Sequence, residues 1–89
     1  MYYAYVIKSL KNYSRYIGST HDVENRIKEH NSGKCRYTSG HMPWSLVYSE
    51  VYATIAEAMK REKFLKLGQG RQWLDNILSP AAGSSNGRT

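Results

Sequence analysis

The sequence predicts a single α+β domain, a small, mainly antiparallel three-stranded sheet flanked by helices in the order ββαβαα. Three observations predict it. The chain has 89 residues, enough for one compact domain. Three stretches rich in aromatic and β-branched residues are bounded by polar turn residues, as strands are. Two more stretches open on good N-cap residues and close on glycine, as helices do.

Tyr2 to Ser9 reads as the first strand, with Tyr3, Tyr5 and Ile7 on one face and Tyr2, Ala4 and Val6 on the other. Lys11-Asn12-Tyr13-Ser14 is turn-like, and Arg15 to Ser19 completes a hairpin. Gly18 inside that strand signals a bulge or a close backbone approach. Asp22 caps a helix running to about Asn31, with Gly33 as its stop, Val23 and Ile27 as its apolar stripe and Glu24–Lys28 as a surface pair. Residues 32–43 are expected to be a polar, basic loop. Trp44 to Tyr52 reads as the third strand, with Leu46, Tyr48 and Glu50 on one face and Val47 and Val51 on the other.

Thr54-Ile55-Ala56-Glu57 fits a capping box that opens a helix to about Leu67, stopped by Gly68. Gly68-Gln69-Gly70 is expected to be a loop before a last helix from Arg71 to Leu78, with Trp73, Leu74 and Ile77 inward. The domain is expected to occupy residues 1–79. Residues 80–89 hold no core-forming side chain and are expected to be a disordered tail.

Apolar residues make up 40% of the chain, which is a globular composition. The net charge of +6 and a pI near 9.6 favour a polyanionic partner. No apolar run approaches the roughly 20 residues of a spanning helix, and the first residues are too short and polar for a signal peptide. With one cysteine, Cys35, an internal disulfide is excluded and a Cys-rich zinc site is too. His21, His30 and His41 have no zinc spacing with Cys35. A cytoplasmic monomer is the expected setting.

Glu62 stands out first. Ile55, Ala58, Met59 and Leu65 are its neighbours on one helical face, so a carboxylate falls within an apolar stripe. Such a charge needs compensation. Two readings fit: an ordinary i,i+4 pair with Lys66, or a single carboxylate that holds a hard divalent ion whose shell is completed by water and phosphate. Arg26 and His30 are also i,i+4 neighbours, suited to phosphate contact and to proton or phosphate-oxygen contact, or else simply an exposed arginine beside a partly buried histidine. Tyr5 and Tyr16 are either core residues or phenols that face a cleft, able there to position a water. Lys34, Arg36, Tyr37, Lys60, Arg61, Lys63 and Lys66 could supply nucleic-acid contacts.

Tyr3-Ala4-Tyr5 followed after ten residues by Tyr16-Ile17-Gly18 resembles the GIY-YIG nuclease signature. Thr20, Arg26 and His30-Asn31, then Arg61-Glu62, follow in the family's order, and residues 37–48 are similar to small bacterial members related to the UvrC-type nuclease domain. The resemblance implies a three-stranded antiparallel sheet with flanking helices and a metal-dependent DNA endonuclease, selective for branched, nicked or flapped DNA and connected with repair or recombination. It implies that Glu62 holds one Mg²⁺ or Mn²⁺, Arg26 steadies the scissile phosphate, Tyr5 or Tyr16 activates or orients water, His30 assists, and Gly18 lets backbone pass close to the site. A protein partner would supply specificity. The sequence departs from the signature at Tyr3 and Ala4, and Ser19 stands where some members carry lysine. A non-catalytic nucleic-acid binding module on the same scaffold is the competing reading, and an adaptor using exposed aromatics such as Trp44 is a third.

Overall fold

The first hairpin sets the geometry of the site. In the computed structural model, which describes residues 1–34 and 36–78, strand β1 (Tyr2–Ser9) pairs antiparallel with β2 (Arg15–Thr20). The buried Ser9 hydroxyl holds the turn by accepting from the Lys11 and Asn12 amides at 3.1 and 3.2 Å. The register places Tyr5 opposite Gly18 and Ile7 opposite Tyr16, so these four share one face. Val6–Ile17 and Ala4–Ser19 share the other.

Helix α1 (Val23–Asn31) starts at Asp22, whose side chain accepts from the Asn25 amide, and ends before Gly33 at φ 85°, the left-handed stop that glycine tolerates. Its ion pair is Arg26–Glu29 at 2.8 Å, not the expected Glu24–Lys28 pair. A short helix α2 (Arg36–Ser39) interrupts the segment expected to be loop. It forms because Thr38 is buried and tied from two sides: its Oγ1 lies 2.9 Å from His30 Nδ1, and its carbonyl accepts from Trp44 Nε1 at 2.9 Å. Cys35, Ser79 and the expected tail, residues 80–89, lie outside the described residues.

Strand β3 (Trp44–Tyr52) pairs antiparallel with β1, giving the sheet order β2-β1-β3. A register shift between Val6 and Ile7 breaks its alternation: Val6 faces Tyr48, but Ile7 faces Leu46. Leu46 therefore does not share a face with Tyr48 and Glu50 as expected, and Val47 packs beside Tyr48 instead.

Helix α3 (Ile55–Lys66) is capped by Thr54, which accepts from the Glu57 amide, and helix α4 (Gly68–Leu78) follows almost at once. The expected Gly68–Gly70 loop is helical. Gly70 is buried where α4 crosses α3: a Cβ there would sit 2.0 Å from the Phe64 carbonyl oxygen. Leu74 is inward as expected, while Ile77 is exposed and Leu78 takes its place against the core.

Two apolar layers sandwich the sheet. Tyr5, Ile7 and Trp44 pack with Tyr16, Val23 and Ile27 on the α1–α2 side. Val6, Ile17, Leu65 and Leu74 pack on the α3–α4 side. The α+β fold is thus the expected sheet with helices, with α2 as an added element.

Candidate functional site

On the α1–α2 side, Tyr5 lies across Gly18. A Cβ at Gly18 would stand 2.7 Å from the Tyr5 hydroxyl, so only glycine leaves room for the ring. The hydroxyl reaches His30 Nε2 at 2.9 Å, and the other ring nitrogen of His30 reaches Thr38. His30 is fully buried, and burial, followed by the Arg26 charge, pushes its pKa down. A neutral imidazole with a hydroxyl on each nitrogen is a positioning element. Tyr16 packs beside it, 5.0 Å between ring centroids, and is itself half-buried.

Arg26 sits one turn before His30 on α1, half-buried on this same layer. Glu62 belongs to the other layer. The inward stripe of α3 is Ala58, Arg61, Glu62 and Leu65; Ile55 and Met59, expected beside Glu62, are exposed. Glu62 Oε1 accepts from Ser19 Oγ at 2.8 Å and Oε2 from Lys66 Nζ at 2.7 Å. Ser19 and Gly18 point to opposite faces of β2, so Glu62 flanks the strand from the side opposite Tyr5 and Tyr16. Because β2 is an edge strand, both layers open onto its free side.

That side carries a groove of about 670 Å³. Tyr16 and Tyr37 line it on one layer, Lys66 and Arg71 on the other, and Tyr13 and Arg15 at the start of β2. Tyr37 stands 5.9 Å from Tyr16 between ring centroids and is exposed, as are Lys34 and Arg36 nearby. Lys60 and Lys63 are exposed on α3.

Arg61 is not a free phosphate contact. Its guanidinium grips Glu50 through two hydrogen bonds, at 2.9 and 3.2 Å, and lies 4.8 Å from the ring centroids of both Phe64 and Trp73. Tyr48 and Tyr52 donate to the same carboxylate. Burial alone would raise the Glu50 pKa, but these hydrogen bonds outweigh it and hold it low. Burial and the Glu50 bond push Tyr48 up to about 12. Charge pattern alone gave no sign of this partnership, which spans strand and helix. Nor did it single out Thr38, whose role depends on a buried histidine eight residues away, or Tyr13 and Arg71, which only the fold brings to the groove.

A three-stranded antiparallel sheet with helices on both sides, with Tyr5 on its central strand, Tyr16 and Gly18 on its edge strand, Arg26 and His30 on α1 and Glu62 on α3, defines a small nuclease-type α+β domain. Residues 1–73 match the GIY-YIG catalytic domain, and the chain belongs to that superfamily of nucleases. It is 42% identical over 77 residues to a UPF0213 protein of Staphylococcus haemolyticus, covering 85% of this chain and 93% of the relative. A UPF0213 protein of Clostridium perfringens is 39% identical over 87 residues, covering 97% and 92%. The solution NMR structure of a UPF0213 protein from Bacillus halodurans superposes with a TM-score of 0.54 at 33% identity, covering 100% of this chain and 99% of that one. Among the described residues no helix is long and apolar enough to cross a membrane.

Proposed function

We propose that the protein is a metal-dependent DNA endonuclease that hydrolyses a phosphodiester at the open edge of β2. The observation that carries this reading is the edge strand β2 with the Glu62 carboxylate bonded to Ser19 on one face and Tyr16 on the other, beside a groove along its open side. Glu62 is the residue that would hold Mg²⁺ or Mn²⁺. Its donor set suits such an ion: one hard carboxylate, oriented by Ser19 and partly accessible, its second oxygen held by a half-exposed Lys66 that can yield.

When bound, the ion would supply Lewis-acid stabilisation of the phosphate oxygens. Arg26 neutralises charge on the scissile phosphate from the α1 side. Tyr16, which lines the groove, orients the attacking water; the water oxygen bonds to phosphorus as the phosphorus–ester oxygen bond breaks, and the proton that the water loses is balanced by the one the leaving oxygen gains. Tyr5 is buried and bonded to His30, so it positions Tyr16 and the backbone at Gly18 rather than meeting water.

The test is cleavage of nicked, flapped and branched DNA, the forms met in repair and recombination, with Mg²⁺ or Mn²⁺. Glu62→Gln is expected to reduce metal-dependent turnover by about 10²-fold or more. Undiminished metal-dependent cutting by that variant would overturn the assignment. One observation favours a second reading, a non-catalytic binding module: both Glu62 oxygens already have protein partners, as in a structural ion pair. Salt-sensitive DNA binding without metal-dependent turnover would select it.

A further inference from the structure

We infer that the groove beside β2 receives an unpaired DNA strand, with its bases stacked on Tyr13, Tyr37 and Tyr16 and its phosphates on Arg71 and Lys66. The polymer rests on the function proposed above; the requirement that it be unpaired rests on the groove itself. Two of the three tyrosines are exposed where a folding role would bury them: Tyr13 at 70% and Tyr37 at 57% of their surface. Tyr13 also takes a left-handed backbone, φ 64°, where glycine or asparagine is favoured, so its ring does not serve the turn. Lys8 lies over that ring, 5.4 Å from its centroid. Tyr37 and Tyr16 form a tilted pair at the other wall.

The opposite wall is cationic. Arg15 is neutralised by Asp75 at 2.6 Å and Lys66, half-exposed, is paired with Glu62 at 2.7 Å, whereas Arg71 forms no ion pair among the described residues. Aromatic rings and cations lining one groove suit a strand whose bases and phosphates lie on different sides. A duplex turns its base faces inward and cannot offer them to tyrosines, so stacking here selects unpaired nucleotides. The groove volume of about 670 Å³ is that of a ligand-sized cleft rather than of a duplex channel. Lys66 is four residues from Glu62, about 6 Å along α3, and bonded to it, so a strand seated in the groove brings its backbone next to the proposed cleavage position.

The experiment is fluorescence anisotropy in EDTA, with labelled oligothymidine of about 15 nucleotides and a duplex of equal length. Tyr37→Ala is expected to weaken oligothymidine binding about 5- to 150-fold while changing duplex binding less than about twofold. Tyr37→Phe keeps the ring and is expected to bind as the native chain does. Tyr13→Asn, chosen because asparagine suits the backbone there, is expected to weaken oligothymidine binding without lowering the melting temperature. Arg71→Ala is expected to reduce the salt dependence of binding by about one counterion. Unchanged oligothymidine binding by both tyrosine variants would overturn the inference, as would equal losses for oligothymidine and duplex. Stacking-dependent binding in EDTA by a protein that cuts nothing with metal would leave the inference standing and refute only the nuclease reading. Metal-dependent cutting that Tyr37→Ala and Tyr13→Asn leave intact, with unchanged binding, would do the reverse.

Discussion

Replacing Gly18 by alanine should unseat Tyr5. The added Cβ would lie 2.7 Å from the Tyr5 hydroxyl oxygen, 2.9 Å from Cζ and 3.1 Å from Cε1. Tyr5 is 1% exposed and anchored to His30, so its ring has no free space to enter. Overpacking of this kind costs about 1–3 kcal/mol. Loss of the Tyr5–His30 hydrogen bond adds about 1 kcal/mol. Alanine offsets about 0.4–1 kcal/mol by restricting the unfolded chain. The net destabilisation is about 1–3 kcal/mol, which for a domain of this size lowers the melting temperature by roughly 5–20 °C. Thermal unfolding followed by circular dichroism measures it. A Tyr5→Phe background removes the 2.7 Å contact but leaves the one to Cζ, so the two substitutions should couple by about 0.5–1 kcal/mol. A fall of less than about 3 °C, or strict additivity with Tyr5→Phe, would refute the close approach as the reason for glycine.

His30 predicts a pH dependence. Its pKa is held below the ordinary 6.5, so as pH falls through about 6.5 the unfolded chain gains a proton that the folded chain refuses. Stability should therefore fall between pH 7.5 and 5.5, levelling only below the folded pKa, and a His30→Gln variant should lack that component in urea titrations at each pH. Arg61→Ala leaves Glu50 without its cation; with both side chains partly exposed, the cost is about 2–3 kcal/mol, seen as a lower urea midpoint. DNA affinity below the melting temperature should stay within about twofold of native, because Arg61 is already committed; a large loss of affinity would return it to the binding surface. Gly70→Ala should be worse than Gly18→Ala, since its Cβ meets backbone, the Phe64 carbonyl at 2.0 Å and Leu65 Cα at 2.7 Å, which cannot swing aside. More than about 3 kcal/mol is expected, and a milder effect than at Gly18 would refute the tight α3–α4 crossing.

What the sequence disclosed was local. Strand alternation in residues 2–9 and the caps at Asp22 and Thr54 act within a few residues and could be read directly. Helix α2 could not, because Arg36–Ser39 is held by His30 and Trp44 from outside the segment. The glycines at 68 and 70 read as loop by propensity, yet Gly70 is where α4 must approach α3, and packing overrides propensity. The extra residue at Val47 reversed the expected faces of Leu46. At the site, the spacing of Arg26 and His30 placed both on one helix face, while the stripe expected around Glu62 is inward only at Ala58 and Leu65, Ile55 and Met59 being exposed. Which layer α3 would occupy is a matter of topology, and no periodicity carries it.

On the proposed function, Glu62 on one layer and Tyr16 on the other can act on one phosphate only where β2 is a free edge, since an interior strand would wall them apart. Edge strands invite unwanted pairing, and this one is kept short, six residues, with Arg15 at its start. Gly18 and Ser19 then serve opposite layers in succession. The first clears space for Tyr5, and the second hydrogen-bonds Glu62. Lys66 stands against the same carboxylate, one helical turn along α3 and 2.7 Å from Glu62, so the strand supplies a hydroxyl and the helix the positive charge. That pair lies at the margin of the groove that Lys66 helps to line, and so the carboxylate's cation is the one an anion entering the groove would meet.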